Sequence, residues 1–174
     1  MLGTEHKELV DRAERWLLKT CGCGFVLSEL VSNNEEIPDA IGFRDGFSVL
    51  IECKTSRSDF MADKRKRFRV DPSQGMGAFR FYLCPEGVIH PEDLPERWGL
   101  LWLTSKGKVK RISGPRGNAW RYAGKEYYFL ERNRDAEIRL MCSALRRLHL
   151  RGFLPLIYDG VIGPQSVVFS GGDG

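Results

Sequence analysis

The chain has 174 residues, of which 42% are hydrophobic and 29% are charged, and its formal net charge is +4 at pH 7. These are the proportions of an ordinary globular protein, and the length suits one domain with a substantial core. No apolar stretch is long enough to span a bilayer, and the N-terminus lacks the apolar segment of a secretory signal. We therefore expect a cytoplasmic protein that does not bind membranes.

The cysteines are scattered, and only two of the five lie close together in sequence. Neither a second cysteine pair nor a histidine pair stands at the spacing of zinc ligands, which argues against a structural zinc site. Free thiols in a reducing compartment fit this pattern best. The five residues are Cys21, Cys23, Cys53, Cys84 and Cys142.

The chain begins with a predicted helix, which three strands and a second helix follow. Apolar residues at helical spacing predict an amphipathic helix from Glu5 to Thr20. Apolar content then predicts three strands, namely Phe25–Ser32, Ile37–Phe43 and Ser48–Thr55. Either Ser56 or Ser58 is expected to cap a short helix that runs to about Phe68.

The rest of the chain is predicted to add three strands and a long helix. These strands are Ala78–Cys84, Gly99–Thr104 and Lys108–Ser113. Asn133 is expected to cap a helix that continues through Leu150, with Gly152 at its end. The predicted core face of this helix comprises Ile138, Met141, Leu145 and Leu148.

The order of these elements predicts an α/β protein, in which helices flank a mixed central sheet. We assign residues 1–152 to a single domain, because no internal repeat or linker divides them. Residues 153–174 form a C-terminal extension that packs on the domain or trails from it.

Two charged residues interrupt the apolar third strand. Side chains alternate along a strand, so Glu52 and Lys54 should project together, with Ile51 and Cys53 on the opposite face. A carboxylate and an ammonium in a core strand are unfavourable unless they are paired or used. Asp39 comes from the preceding segment, so two carboxylates and one amine are expected at one site. Such a set can hold a divalent cation and activate a water molecule.

Two basic segments predict a polyanionic partner, and nucleic acid is the partner that we expect. Between Arg97 and Lys125 there are eight basic and no acidic residues, so the remainder of the chain has a net charge of −4. A second basic run, from Lys64 to Arg69, follows the third strand closely. A solvated basic face is the alternative for either run. The candidate nucleic-acid-binding residues are Arg57, Lys64, Arg65, Lys66, Arg67, Lys106, Lys108, Lys110, Arg111 and Arg116.

The pattern of Pro38-Asp39 followed by Glu52-X-Lys54 resembles the PD-(D/E)XK nuclease superfamily. The resemblance implies a restriction-endonuclease-like core of helix, three strands, helix and strand. A narrower similarity, to the MmcB-like branch associated with DNA repair, covers Ile51 to Ser56, Ser58 to Phe60, Arg80 to Pro85 and other short segments. Such proteins more often have Arg-Ala-Asp where this chain has Pro38-Asp39.

The resemblance implies a Mg²⁺-dependent (or Mn²⁺-dependent) deoxyribonuclease acting in repair, recombination or a mobile element. Asp39 and Glu52 would bind the metal with the backbone carbonyl of Cys53, and Lys54 would orient the attacking water or stabilise the transition state. DNA is the implied partner, and a homodimer is possible in such a superfamily. The alternative is an inactive nucleic-acid-binding accessory protein that retains the fold.

A third acid is usual in the superfamily, and several residues are candidates for it. Glu29 is our first choice, because it lies on the predicted apolar face of the first strand. Glu5, on the core stripe of the first helix, is the second choice. Glu36 is expected to be a loop charge, and His6 is expected to be a packed or boundary residue.

Overall fold

The computed structural model describes residues 2–44, 46–116, 120 and 125–158. Four helices and six strands lie in these ranges. The helices are α1 (Leu2–Lys19), α2 (Arg57–Asp63), α3 (Arg67–Val70) and α4 (Arg134–Leu150). The strands are β1 (Phe25–Ser28), β2 (Ala40–Arg44), β3 (Phe47–Cys53), β4 (Phe79–Pro85), β5 (Trp98–Leu103) and β6 (Val109–Ser113).

The strands form one mixed sheet in the order β1-β2-β3-β4-β5-β6, which confirms the predicted α/β class. The β1-β2, β2-β3 and β5-β6 pairs are antiparallel, whereas β3-β4 and β4-β5 are parallel. A parallel pair needs a crossover connection, and α2 and α3 lie in the one between β3 and β4. In the described ranges, no helix combines the length and apolar character needed to cross a membrane.

The two faces of the sheet pack against different helices. On β3, Val49, Ile51 and Cys53 join the apolar cluster that includes the buried stripe of α1. Leu50 faces the other way, into a cluster with Phe60 of α2 and residues of α4. Every residue of β3 is buried, as expected for a strand covered by helices on both faces. Glu52 therefore lies on the α2 and α4 face.

The helix predicted to reach Phe68 is interrupted. Ser56 caps α2 by accepting a hydrogen bond from the Asp59 N–H, but α2 ends at Asp63 and α3 begins at Arg67. In a continuous helix, side chains six residues apart would point about 120° away from each other around the axis. The interruption lets Arg69 turn back to Asp63, with Nε 2.9 Å from Oδ2.

The predicted core face of the last helix is wrong, although its cap at Asn133 is confirmed. Ile138, Leu145 and Leu148 are exposed on α4, whose buried residues are Ala136, Glu137 and Leu140. Polar contacts of Glu137 account for this orientation of α4. Glu137 Oε1 accepts hydrogen bonds from Ser48 Oγ at 2.6 Å and from the Gly77 N–H at 2.9 Å. These two bonds orient the helix about its axis.

Replacing Gly99 by alanine should destabilise the protein by about 1–3 kcal/mol. A Cβ at this position would lie 2.3 Å from Cε1 of Phe81, whose ring is fully buried. Urea unfolding should show a lower midpoint for this variant. The control is Gly3→Ala in α1, where a Cβ meets nothing within 4 Å. Equal midpoints for the two variants would contradict the packing described.

Candidate functional site

The three motif residues converge where β2 begins and β3 ends. Ala40 is the register partner of Ile51, so Asp39 and Glu52 stand at the next opposed position. Asp39 Oδ2 accepts a hydrogen bond of 2.7 Å from the Cys53 N–H. Lys54 Nζ donates to Glu52 Oε2 at 3.2 Å, as strand alternation predicts for these two residues. Two carboxylates and an ammonium thus meet at one end of the sheet.

Arg69 lies at the centre of a buried cluster of charges. Its Nη1 donates to Glu36, its Nε donates to Asp63, and its Nη2 lies 2.9 Å from Glu52 Oε1 without the alignment of a hydrogen bond. The side chains of Arg69, Glu36, Glu52 and Asp63 are each at most 3% exposed. We call these four residues and Lys54 the buried ion cluster.

The prediction that Glu36 is only a loop charge is wrong. Besides its bond from Arg69, Glu36 accepts a hydrogen bond from the Met76 N–H at 2.6 Å. Burial raises the pKa of Glu36, and the positive charge of Arg69 acts against that rise. Glu36 therefore ties the β1-β2 connection to the loop before β4.

Asp63 is held ionised by its neighbours. Lys54 Nζ lies 3.5 Å from Asp63 Oδ1, Lys66 Nζ lies 2.8 Å from the same oxygen, and Tyr82 donates to Oδ2 at 2.9 Å. Burial opposes ionisation of Asp63, but the charges of Arg69 and Lys54 outweigh it and hold the pKa of this carboxyl well below its usual range.

Lys54 is kept protonated by the acids around it. Burial favours the neutral amine, yet the negative charges of Glu52 and Asp63 raise the pKa of Lys54 above its ordinary value. The side chain is only 5% exposed. It therefore serves as a fixed cation, not as a base.

Asp39 differs from the other acids because it faces the surface and is hard to ionise. Its side chain is 17% exposed. Burial first, and then the negative charge of Glu52, raise its pKa to about 6, against the opposing effects of Lys54 and the hydrogen bond from Cys53. Either a proton or a cation at Asp39 would relieve this unfavourable charge.

His6 also reaches this site, although the sequence predicted a packed or boundary residue. Its Nε2 lies 3.5 Å from Asp39 Oδ1 and 3.5 Å from Glu29 Oε1. Glu29 is therefore near Asp39, but it lies just after β1 with a φ of 48° and a side chain that is 57% exposed. The predicted strand was too long, and Glu29 is not in an apolar environment. Glu5 is exposed on α1.

Many of the predicted phosphate contacts are engaged within the protein. Arg57 forms two hydrogen bonds, of 2.7 and 2.6 Å, with the carboxylate of Asp93, and Lys64 donates to the Asp93 carbonyl at 3.0 Å. Lys66 pairs with Asp63, whereas Arg67 lies 3.7 Å from Glu35. Arg65 is exposed.

The second basic segment lies at the edge of the sheet formed by β6. Lys110 and Arg111 are on β6, which is three strand positions from β3, or about 14 Å at the usual strand spacing. Lys106 and Lys108 belong to the β5-β6 turn, and Arg116 follows β6. The fold therefore does not bring these cations into contact with the ion cluster.

Sequence reasoning missed the residues that surround the motif. Arg69 was counted with a basic run, and nothing local marks it as buried. Asp63 offered one signal, since an acid three residues before Lys66 can pair with it along a helix turn. His6 offered another, since it is polar but shares a helical stripe with Val10 and Leu17.

The donor chemistry of Asp39 and Glu52 fits Mg²⁺, which prefers hard oxygen ligands. Two carboxylates close enough for one to raise the pKa of the other favour a cation between them. Such a cation must compete for Glu52 with Lys54 and Arg69. No group of three or more His, Cys, Asp or Glu side chains that could hold a metal occurs among the described residues. A Mg²⁺ ion at this site would therefore be held by the carboxylates of Asp39 and Glu52 and by the backbone carbonyl of Cys53.

The chain resembles a solved structure in fold. SPO1766, a protein of unknown function from Silicibacter pomeroyi, superposes with a TM-score of 0.55 at 18% sequence identity. The match covers 92% of this chain and 97% of SPO1766. At this identity the likeness shows the fold alone. No family model matches the chain, and no curated protein matches it.

Replacing Arg69 by methionine should lower the free energy of unfolding by about 3–5 kcal/mol, because three buried carboxylates would lose their shared cation. The matched control is Arg67→Met, which removes an exposed arginine paired only loosely with Glu35. It should change stability by less than about 1 kcal/mol. Chemical unfolding measures both, and equal losses would refute the central role of Arg69.

The raised pKa of Asp39 predicts a pH effect on stability. Between the unfolded value of about 3.9 and the folded value of about 6, the native state binds more protons, so the free energy of unfolding falls as pH rises. Relative to wild type, Asp39→Asn should gain on the order of 2 kcal/mol between about pH 4 and pH 7. Urea unfolding without divalent cations tests this. A difference that stays constant with pH would contradict it.

Proposed function

We propose that this protein is a metal-dependent nuclease that hydrolyses phosphodiester bonds of DNA. The observation that carries the proposal is the meeting of Asp39, Glu52 and Lys54 at one end of β3. Two acids that repel each other and a fixed ammonium suit a reaction in which negative charge develops on a phosphoryl group.

In this proposal Asp39, Glu52 and the backbone carbonyl of Cys53 hold Mg²⁺ or Mn²⁺. When bound, the metal supplies a water of lowered pKa and neutralises charge on the phosphoryl oxygens. The Cys53 N–H orients the carboxylate of Asp39 through Oδ2. Lys54, held by Glu52 and Asp63, presents a permanent positive charge to the substrate or to the attacking water. Glu29 remains the candidate for the third acid.

The order of elements supports the same proposal. Helix α1, strands β1 to β3, helix α2 and strand β4 follow one another as in the restriction-endonuclease-like core. Asp39 immediately precedes β2 and Glu52 lies within β3, and this arrangement supports the proposal. Together with the sequence similarity to the MmcB-like branch, this favours a role in DNA repair, recombination or a mobile element. DNA as substrate, and a homodimer as the assembled form, are parts of the proposal.

The second candidate is a non-catalytic nucleic-acid-binding protein that retains the fold. One observation favours it, because both oxygens of Glu52 already lie within 3.2 Å of protein cations, Lys54 and Arg69. In that case the charges of the buried ion cluster serve stability alone. The two candidates differ in whether the protein binds divalent metal and cuts DNA.

Cleavage of supercoiled, linear, branched and single-stranded DNA tests the proposal, with Mg²⁺, with Mn²⁺ or with EDTA. Wild type should cut at least one substrate in a metal-dependent manner. Asp39→Asn and Lys54→Met should each lower the rate roughly a hundredfold or more, since each removes a group that acts on the transition state.

The matched control is Asp11→Asn, the same chemical change at an exposed position on α1. It should cut as well as wild type. Binding of Mn²⁺, measured by electron paramagnetic resonance, should weaken in Asp39→Asn and not in Asp11→Asn. If wild type binds DNA but neither cuts it nor binds Mn²⁺, the accessory function replaces the nuclease. An Asp39→Asn protein that cuts like wild type would remove the proposal.

A further inference from the structure

The exposed side of α4 forms one wall of a groove of ≈ 680 Å³. The opposite wall is the chain just after β1, from Val31 to Asn33. Arg147 Nη2 donates to the Val31 carbonyl at 2.6 Å, so the two walls are connected. We call this feature the α4 groove.

The charge of the α4 groove is positive. Arg139, Arg146 and Arg147 line it, together with the polar side chains of Ser32 and Asn33, and no carboxylate is among its lining residues. From residue 138 to 158 the sequence contains no Asp or Glu, although it has four arginines. Like the segment from Arg97 to Lys125, this stretch is therefore basic and free of acids.

Two of these arginines have nothing to neutralise them within the described ranges. Arg139 and Arg146 are exposed, and neither forms an ion pair with a described carboxylate. By contrast, Arg57 is engaged with Asp93, and Lys66 is engaged with Asp63. Arg139 and Arg146 are therefore available to a partner, whereas Arg57 and Lys66 are used within the protein.

The spacing of the two arginines suits a nucleic-acid backbone. Residues seven apart lie on one face of a helix, so Arg139 and Arg146 point into the same groove. They are about 10 Å apart along the helix axis, at 1.5 Å per residue. That span corresponds to about three base-pair steps measured along the axis of a DNA duplex, at 3.4 Å each.

The α4 groove adjoins a second cavity that reaches the buried ion cluster. This cavity of ≈ 280 Å³ shares Asn33 and Arg139 with the groove, and Arg67 and the carboxylates Glu35 and Glu36 also line it. Glu36 is neutralised by Arg69, and Arg69 contacts Glu52. The positive wall of α4 therefore borders a cavity that touches the buried ion cluster at Glu36.

We propose that the α4 groove binds the phosphate backbone of duplex DNA, with Arg139 and Arg146 as its principal phosphate contacts. The inference rests on the proposed function in that the same duplex would extend from the motif residues along α4. The contacts are to the backbone, so binding is expected to depend strongly on salt and little on base sequence.

The test is binding of a short fluorescent DNA duplex by the full chain in EDTA, over a series of salt concentrations. The double variant Arg139→Ala/Arg146→Ala should bind roughly tenfold more weakly at about 0.1 M salt, and its salt slope should fall by about 2. The matched control, Arg15→Ala/Lys19→Ala, removes two exposed cations from α1 on the other face of the sheet. It should bind like wild type.

The outcomes separate this inference from the nuclease itself. If the α4 variant binds and cuts DNA like wild type, the α4 groove is not the DNA-binding site, even if the protein is a nuclease. If both double variants weaken binding equally, only net charge matters and the inference is also overturned. If wild type does not cut, yet the α4 variant alone loses binding, the groove stands and the nuclease proposal falls. Preference for an RNA duplex over DNA in the same titration would overturn the choice of partner.

Discussion

The structure depends most on the pairing of Arg69 with three buried carboxylates. Glu36 comes from the β1-β2 connection, Glu52 from β3 and Asp63 from the end of α2, and one guanidinium meets all three. Leaving such charges buried and unpaired is strongly unfavourable, so the segments that carry them are held in a single arrangement. The planar fork of arginine suits this task, because its donors point in several fixed directions at once.

Because of this ion pairing, the two faces of the sheet differ in polarity. The side that faces α1 is an apolar core, in which the rings of Trp16, Phe79 and Phe81 each pack against Trp120, and Trp16 also packs against Phe81. The other side combines apolar packing with the buried ion cluster. Its ionic part lies at the end of β3 where Asp39 reaches the surface, so the charges that stabilise the fold also set the electrostatics of the candidate site. Lys54 belongs both to the buried ion cluster and to the candidate site, since it contacts Glu52 and Asp63.

Most of the secondary structure could be predicted because its causes are local. Amphipathic spacing marked α1, apolar runs marked β2 to β5, and the Lys106-Gly107 turn marked β6. Ser56 and Asn133 marked the starts of two helices. Errors arose where a distant partner decided the outcome. The helix after Ser56 is interrupted before Arg69, which pairs with Glu36, 33 residues earlier in the chain. Helix α4 is oriented by the hydrogen bonds of Glu137 with Ser48 and Gly77.

The sequence by itself determined that Glu52 and Lys54 share a face of β3, since alternation along a strand is a local rule. It also indicated that Asp39 would meet them, since a hairpin of this length opposes the two strands. Only the tertiary structure decided what surrounds them. Arg69 reaches a carboxylate 33 residues away in sequence, and His6 reaches Asp39 from another helix. Such encounters depend on how helices pack on the sheet, and no periodicity within one segment carries that information.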